Sequence, residues 1–245
     1  MKNPVPSILL ITVILAVFQG SPDPVTGREP AAEDVVRNLQ ATFSLIEDYT
    51  VRIDIETDIQ GVNIPRMEVK AFYKEPDKMH LESRGFAMLP REGVLINPNR
   101  FNGKDFYMSI LGEEMVGTRE TYKLELVPRR EEIKVRKLIL WIDPERWIIL
   151  KIDSVTWQGQ SMKVEFQYER FLERYWLPAT AMATVNLASF KGFSSFHDGP
   201  DWDQARRTET EERKGTITIR FHDYRVNEGI PDSIFDQQAE KADID

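Results

Sequence analysis

Leu138 to Ile152, LILWIDPERWIILKI, is a pair of apolar runs broken only by Asp143-Pro144-Glu145-Arg146. Asp at the first position of a type I turn bonds back to the chain, and Pro at the second has its φ preset, so the two runs form an antiparallel hairpin. Both runs are apolar at every parity: Leu138, Leu140 and Ile142 alternate with Ile139 and Trp141, and Ile148, Leu150 and Ile152 alternate with Trp147 and Ile149. An antiparallel sheet ordinarily shows water one face. Apolar material is therefore expected on each side of this hairpin.

One cover is available from a helix. Between Ala32 and Glu47 the residues Val35, Leu39, Phe43 and Ile46 recur at helical spacing and make a single stripe. The rest reads as strands: YTVRIDIETDIQ alternates Val51, Ile53, Ile55 and Ile59 against Arg52, Asp54, Glu56 and Asp58, and further strands are expected at Met67–Lys74, Lys78–Ser83, Phe106–Ile110, Thr121–Val127, Val135–Ile142, Trp147–Thr156, Ser161–Phe171, Leu177–Asn186 and Thr216–Tyr224. Short links such as Glu75-Pro76-Asp77, Asn102-Gly103, Gly112-Glu113, Gln158-Gly159 and Glu173-Arg174 predict an antiparallel meander, since parallel strands need helical crossovers. One helix cannot cover a wide sheet on both sides. A curved sheet closing partly around its own concave face can, and its interior then either holds an apolar ligand or is packed solid by its own Trp, Ile and Leu.

The flanks carry different signals. One Lys, an apolar run from Ile8 to Phe18 and then small residues and prolines predict a signal peptide over residues 1–20, cleaved to leave a chain starting between about Gln19 and Gly27. A flexible leader is expected over 21–31, a single domain over 32–236, and a polar tail over 237–245. With no cysteine, the exported chain uses no disulfides, which suits a bacterial periplasm. Its 32 basic and 40 acidic residues leave a net charge of -8 without a basic block, which argues against nucleic acid as partner.

No catalytic constellation is legible. GFSSF lacks the second Gly of a nucleophile elbow, no H-E-x-x-H occurs, and His80, His197 and His222 have no neighbour at metal-ligand spacing. The expectation is a binding protein without cofactor or metal; an enzyme using unpaired carboxylates is the minority alternative.

The order of several segments resembles the lipoprotein carrier LolA and its relatives. YTVRIDIETDI after an amphipathic helix, then YKEPDKMHLES with Lys74, Pro76, Asp77 and Lys78 about its turn, FNGKDFYMSI, LWIDPERWIILKI, MKVEFQYERFLERYWLPATAMATV and ITIRFHDYRVNEGIPDSIFD follow the family's sequence of hairpins from Ala32 to Asp236. Glu75 departs from the Arg common there, and the segment from Ser189 to Lys214 is an insertion. The resemblance implies a mainly β fold: an incomplete antiparallel β-barrel with the N-terminal helix packed on or in its concave face. It further implies a periplasmic carrier that buries acyl chains of lipoproteins or lipids; the alternative is an envelope sensor or scaffold of the same fold, resembling RseB, that binds a membrane-associated protein.

Strand parity nominates Ile53, Ile55, Val69, Ala71, Met79, Leu81, Phe86, Met88, Leu140 and Ile149 for an apolar cavity. Phe190, Phe193, Phe196 and Trp202 of the long 189–214 segment are nominated as a lid or partner loop.

Overall fold

In the computed structural model, residues 30–59, 65–83, 97–130, 132–133, 135–157, 161–186 and 214–236 are described. The expected signal peptide, residues 21–29 of the leader, residues 189–213 of the 189–214 segment and the tail lie outside them, as do Phe86 and Met88.

The hairpin forms around Asp143. Its Oδ1 accepts the N–H groups of Glu145 (2.8 Å) and Arg146 (3.2 Å), and its carbonyl accepts Trp147 N–H at 2.8 Å. Trp147 closes the turn at φ 52°. The strands on either side are β6 (Val135–Asp143) and β7 (Ile148–Thr156). A register shift between Trp141 and Ile142 leaves Leu150 as an extra residue, because Trp141 faces Lys151 while Ile142 faces Ile149. That bulge puts Leu140, Ile142, Ile149 and Ile152 on one face, all in the core.

The other face is covered differently from the apolar cover anticipated. Trp141 points outward yet is only 4% exposed, because its cross-strand neighbours Lys123 and Lys151 lay their ammonium groups 5.1 and 4.1 Å from the ring centroid. Aliphatic lysine stems and cation–π attraction replace an apolar layer. The same device recurs at Phe72, whose ring meets Lys70 at 4.6 Å and His80 at 5.8 Å.

Eight more strands complete the sheet: β1 (Asp48–Ile59), β2 (Met67–Lys74), β3 (Lys78–Ser83), β4 (Phe106–Val116), β5 (Arg119–Pro128), β8 (Ser161–Phe171), β9 (Tyr175–Asn186) and β10 (Lys214–Val226). Their order is β3-β2-β1-β10-β9-β8-β7-β6-β5-β4, every pairing antiparallel. The edges β3 and β4 do not pair, so the barrel stays open there. The mainly β, incomplete antiparallel barrel is thus the fold. Gly112-Glu113 is not a turn: β4 runs through it as a bulge with Gly112 at φ 115°, and the chain reverses at Gly117, φ 61°.

The N-terminal helix α1 (Ala32–Phe43) buries Ala32, Val35, Val36 and Leu39. It stops short of the expected Glu47. Asn227, just after β10, draws the following residues away: its Oδ1 accepts the N–H groups of Glu47 (2.8 Å) and Asp48 (3.3 Å), and its Nδ2 donates to Leu45 O (3.0 Å). Ile46 stays buried through a turn in which its N–H reaches Phe43 O at 3.0 Å. At mid-helix, Gln40 Nε2 donates to Pro98 O (3.2 Å) and Phe101 O (2.8 Å), tying α1 to a 3-10 turn, Pro98–Arg100, that precedes β4. A four-residue helix α2 (Ser233–Asp236) follows β10, with Lys74 and Lys78 reaching Asp232 just before it at 2.6 and 3.1 Å.

Candidate functional site

The C-terminal half of α1 does not seal against the sheet. Between them lies a partly open cavity of about 80 Å³. Its helix side is Leu39, Thr42 and Phe43, continued by Leu45 and Ile46; its sheet side comes from the start of β7 (Ile148, Ile149), from Phe166 and Tyr168 of β8, and from Tyr175 through Pro178 of β9. Trp147, Tyr49, Tyr224 and Pro98 close the remaining walls.

Local sequence explains this wall. In β8, alternation points Val164, Phe166 and Tyr168 inward. Leu172 and Glu173 at φ 48° and 53° reverse the chain tightly, so Tyr175 faces Phe171. A bulge after Gln167 sets Tyr168 opposite Pro178, a place where a ring without an N–H costs the ladder nothing. Behind the cavity an aromatic chain runs Phe43–Tyr73–Tyr49–Tyr224–Phe171, with centroids 5.2 to 6.3 Å apart.

The tyrosines of the wall are uncharged at physiological pH. Burial pushes the phenols of Tyr49, Tyr168 and Tyr224 well above their ordinary value. Tyr224 donates to Pro178 O at 2.8 Å, and Tyr175 Oη accepts from Asn227 Nδ2 at 3.1 Å. Charge enters the lining through Arg174, 5.2 Å from the Tyr175 ring, and Arg146 lies 4.3 Å from the ring of the wall residue Trp176. Such a site can bind an apolar group; it offers no paired acid and base, and among the described residues no cluster of His, Cys, Asp and Glu could hold a metal ion.

The nominated residues fall in three places. Ile53, Ile55, Val69, Ala71, Leu140 and Ile149 are 0 to 2% exposed and share one continuous core on the concave face. Met79 and Leu81 are half-buried on edge strand β3, Leu81 against that core. Phe86, Met88 and the four aromatics Phe190, Phe193, Phe196 and Trp202 are outside the described residues. Of the eight described cavity nominees only Ile149 lines the cavity. Missing from the nominations were Thr42, Trp147, Phe166, Tyr168, Tyr175 and Trp176. For Phe166, Tyr168, Tyr175 and Trp176 the signal was the aromatic density of FQYERFLERYW.

A family model described as "-like: Uncharacterized protein" matches residues 96–239, more than half of the chain. The chain belongs to that family. No curated protein matches it. Solved structures similar to it include a domain of an outer membrane lipoprotein-sorting protein from Vibrio parahaemolyticus, 13% identical, aligned over 86% of this chain and 99% of the other with a TM-score of 0.56. A LolA superfamily protein from Nitrosomonas europaea is 11% identical over 84% and 97% of the two chains, also with a TM-score of 0.56. A DUF1329 family protein from Desulfovibrio piger is 12% identical over 85% and 98%, again at 0.56. At such identities the likeness is one of fold, and the open antiparallel barrel that the segment order implied is shared with a LolA superfamily structure.

Proposed function

We propose that the protein is a periplasmic carrier that binds acyl chains of lipoproteins or lipids in the cavity beneath α1. The observation that carries this reading is an aromatic slot, uncharged but for Arg174, left between a helix and the sheet. The sorting role named for the Vibrio structure supports it.

At about 80 Å³ the slot is smaller than ordinary ligand pockets, which begin near 300 Å³. Binding therefore displaces α1. The helix is held by the two Gln40 hydrogen bonds, the Asn227 clasp on Leu45 and the burial of Val35, Val36 and Leu39. Each of those side chains contributes about 1.5–3 kcal/mol of burial, and each entering methylene about 0.8 kcal/mol. A chain of ten to sixteen carbons, at about 8–13 kcal/mol, is of the same order as the displaced contacts, and reversible loading suits a carrier. No covalent step and no cofactor are required.

The test is a fluorescent fatty-acid titration, with native mass spectrometry, on delipidated protein. Wild type should bind one chain. Thr42→Trp, which fills the slot from the half-buried face of α1, should weaken binding about tenfold or more while the far-ultraviolet spectrum is kept. A wild type that takes up no acyl chain defeats the proposal.

A second reading, the protein-binding scaffold, has its own observation. Edge strand β4 offers an unpaired ladder with Tyr107, Leu111 and Met115 49 to 58% exposed, the kind of edge an extended partner segment can extend. Capture of an envelope protein lost on Leu111→Lys would favour it.

A further inference from the structure

We propose that the cargo of this slot is an amphiphile with an oxyanion head, carboxylate or phosphate, and that Arg174 and Arg146 hold that head at the rim. The inference rests on the acyl-binding reading and names the class of ligand. Arg174 is the one formally charged side chain among the described residues lining the slot, and its guanidinium lies over Tyr175. Arg146 lies over Trp176, another wall residue.

The neighbouring carboxylates are engaged elsewhere. Glu173, adjacent to Arg174 in sequence, turns to Arg170 at 3.9 Å. Glu145, adjacent to Arg146, is taken by Arg119 at 2.6 Å. Asp143 approaches Arg146 only to 4.0 Å, shares the same oxygen with Arg119 at 3.8 Å, and spends its other oxygen on the turn. Among the described residues no carboxylate lies within 4.0 Å of Arg174. One guanidinium in the wall of an apolar slot, and a second stacked on another wall residue, therefore have donors to spare in a chain of net charge -8. The guanidinium fork matches carboxylate and phosphate oxygens, and stacking on Tyr175 and Trp176 leaves its edge free to donate.

The experiment compares three probes of one chain length on the delipidated full chain: oleate, oleoyl lysophosphatidic acid and neutral 1-oleoylglycerol. Displacement of a fluorescent fatty acid reads each affinity below its micelle concentration. At least one anionic probe should bind about tenfold tighter than the neutral one, and the preference should shrink as salt is raised. Oleate and lysophosphatidate identify the head between them. Arg146→Gln with Arg174→Gln should abolish most of the preference by weakening the anionic probes far more than 1-oleoylglycerol, whereas Arg37→Gln on the exposed face of α1 should leave the preference as in wild type. Equal affinity of all three probes for wild type, or a preference that survives the double change, overturns the proposal while leaving acyl binding intact. Failure of every probe to bind overturns both.

Discussion

At the residue scale, parity in the strands was readable because side chains alternate strictly, and it put Ile53, Ile55, Val69, Ala71 and Leu140 on the core face. It could not distinguish a filled stretch of that face from an open one, since both are apolar. Leu140 is fully buried away from the slot, so Leu140→Glu must desolvate a carboxylate at several kcal/mol. Circular dichroism should show it unfolded. Folded Leu140→Glu protein would mean that water reaches the centre of the sheet. The cover over Trp141 was expected to be apolar, and no local pattern showed that lysines from two other strands supply it. Replacing Lys123 and Lys151 together by Ala should cost about 1–2 kcal/mol in urea melts, through lost stem packing and cation–π contact, and an unchanged midpoint would show that the indole needs no cover.

At the element scale, ten strands and a helix could be placed from alternation and turn chemistry, and the errors were made by distant partners. Helical periodicity continued to Ile46, but Asn227 claims the backbone from Leu45 to Asp48 from 180 residues away. Gly112 was read as a turn because a glycine at positive φ serves a bulge as well as a reversal. The account makes α1 the element that moves. Its amides should exchange with deuterium faster than those of β6 and β7, and Gln40→Ala, removing both ties to Pro98 and Phe101, should speed α1 further while β6 and β7 stay protected. Helix amides as slow as those of the central strands, in both proteins, would count against displacement.

At the scale of the whole molecule, the open barrel was legible in the order of its hairpins, whereas the slot was not. It is assembled from α1, β1, β7, β8, β9 and β10, which no local pattern brings together. The interior also sets a response to alkali. Tyr49, Tyr73, Tyr168 and Tyr224 have phenols raised above their ordinary 10.0, so above that pH the unfolded chain releases protons that the folded one keeps. Stability is full below pH 10 and falls as pH rises beyond it. The urea midpoint should drop steeply above pH 10, and a flat profile to pH 12 would mean these phenols reach water.

Photolabelling bears most directly on the central claim. A fatty acid carrying a diazirine near its terminal carbon, irradiated with delipidated protein and mapped by peptide mass spectrometry, should mark the walls of the slot: Leu39 to Tyr49, Trp147 to Ile149 and Phe166 to Pro178. Excess unlabelled fatty acid should erase the marks. Labelling confined to the outer face of the sheet or to the β4 edge, or no labelling that competitor removes, would contradict an acyl site beneath α1.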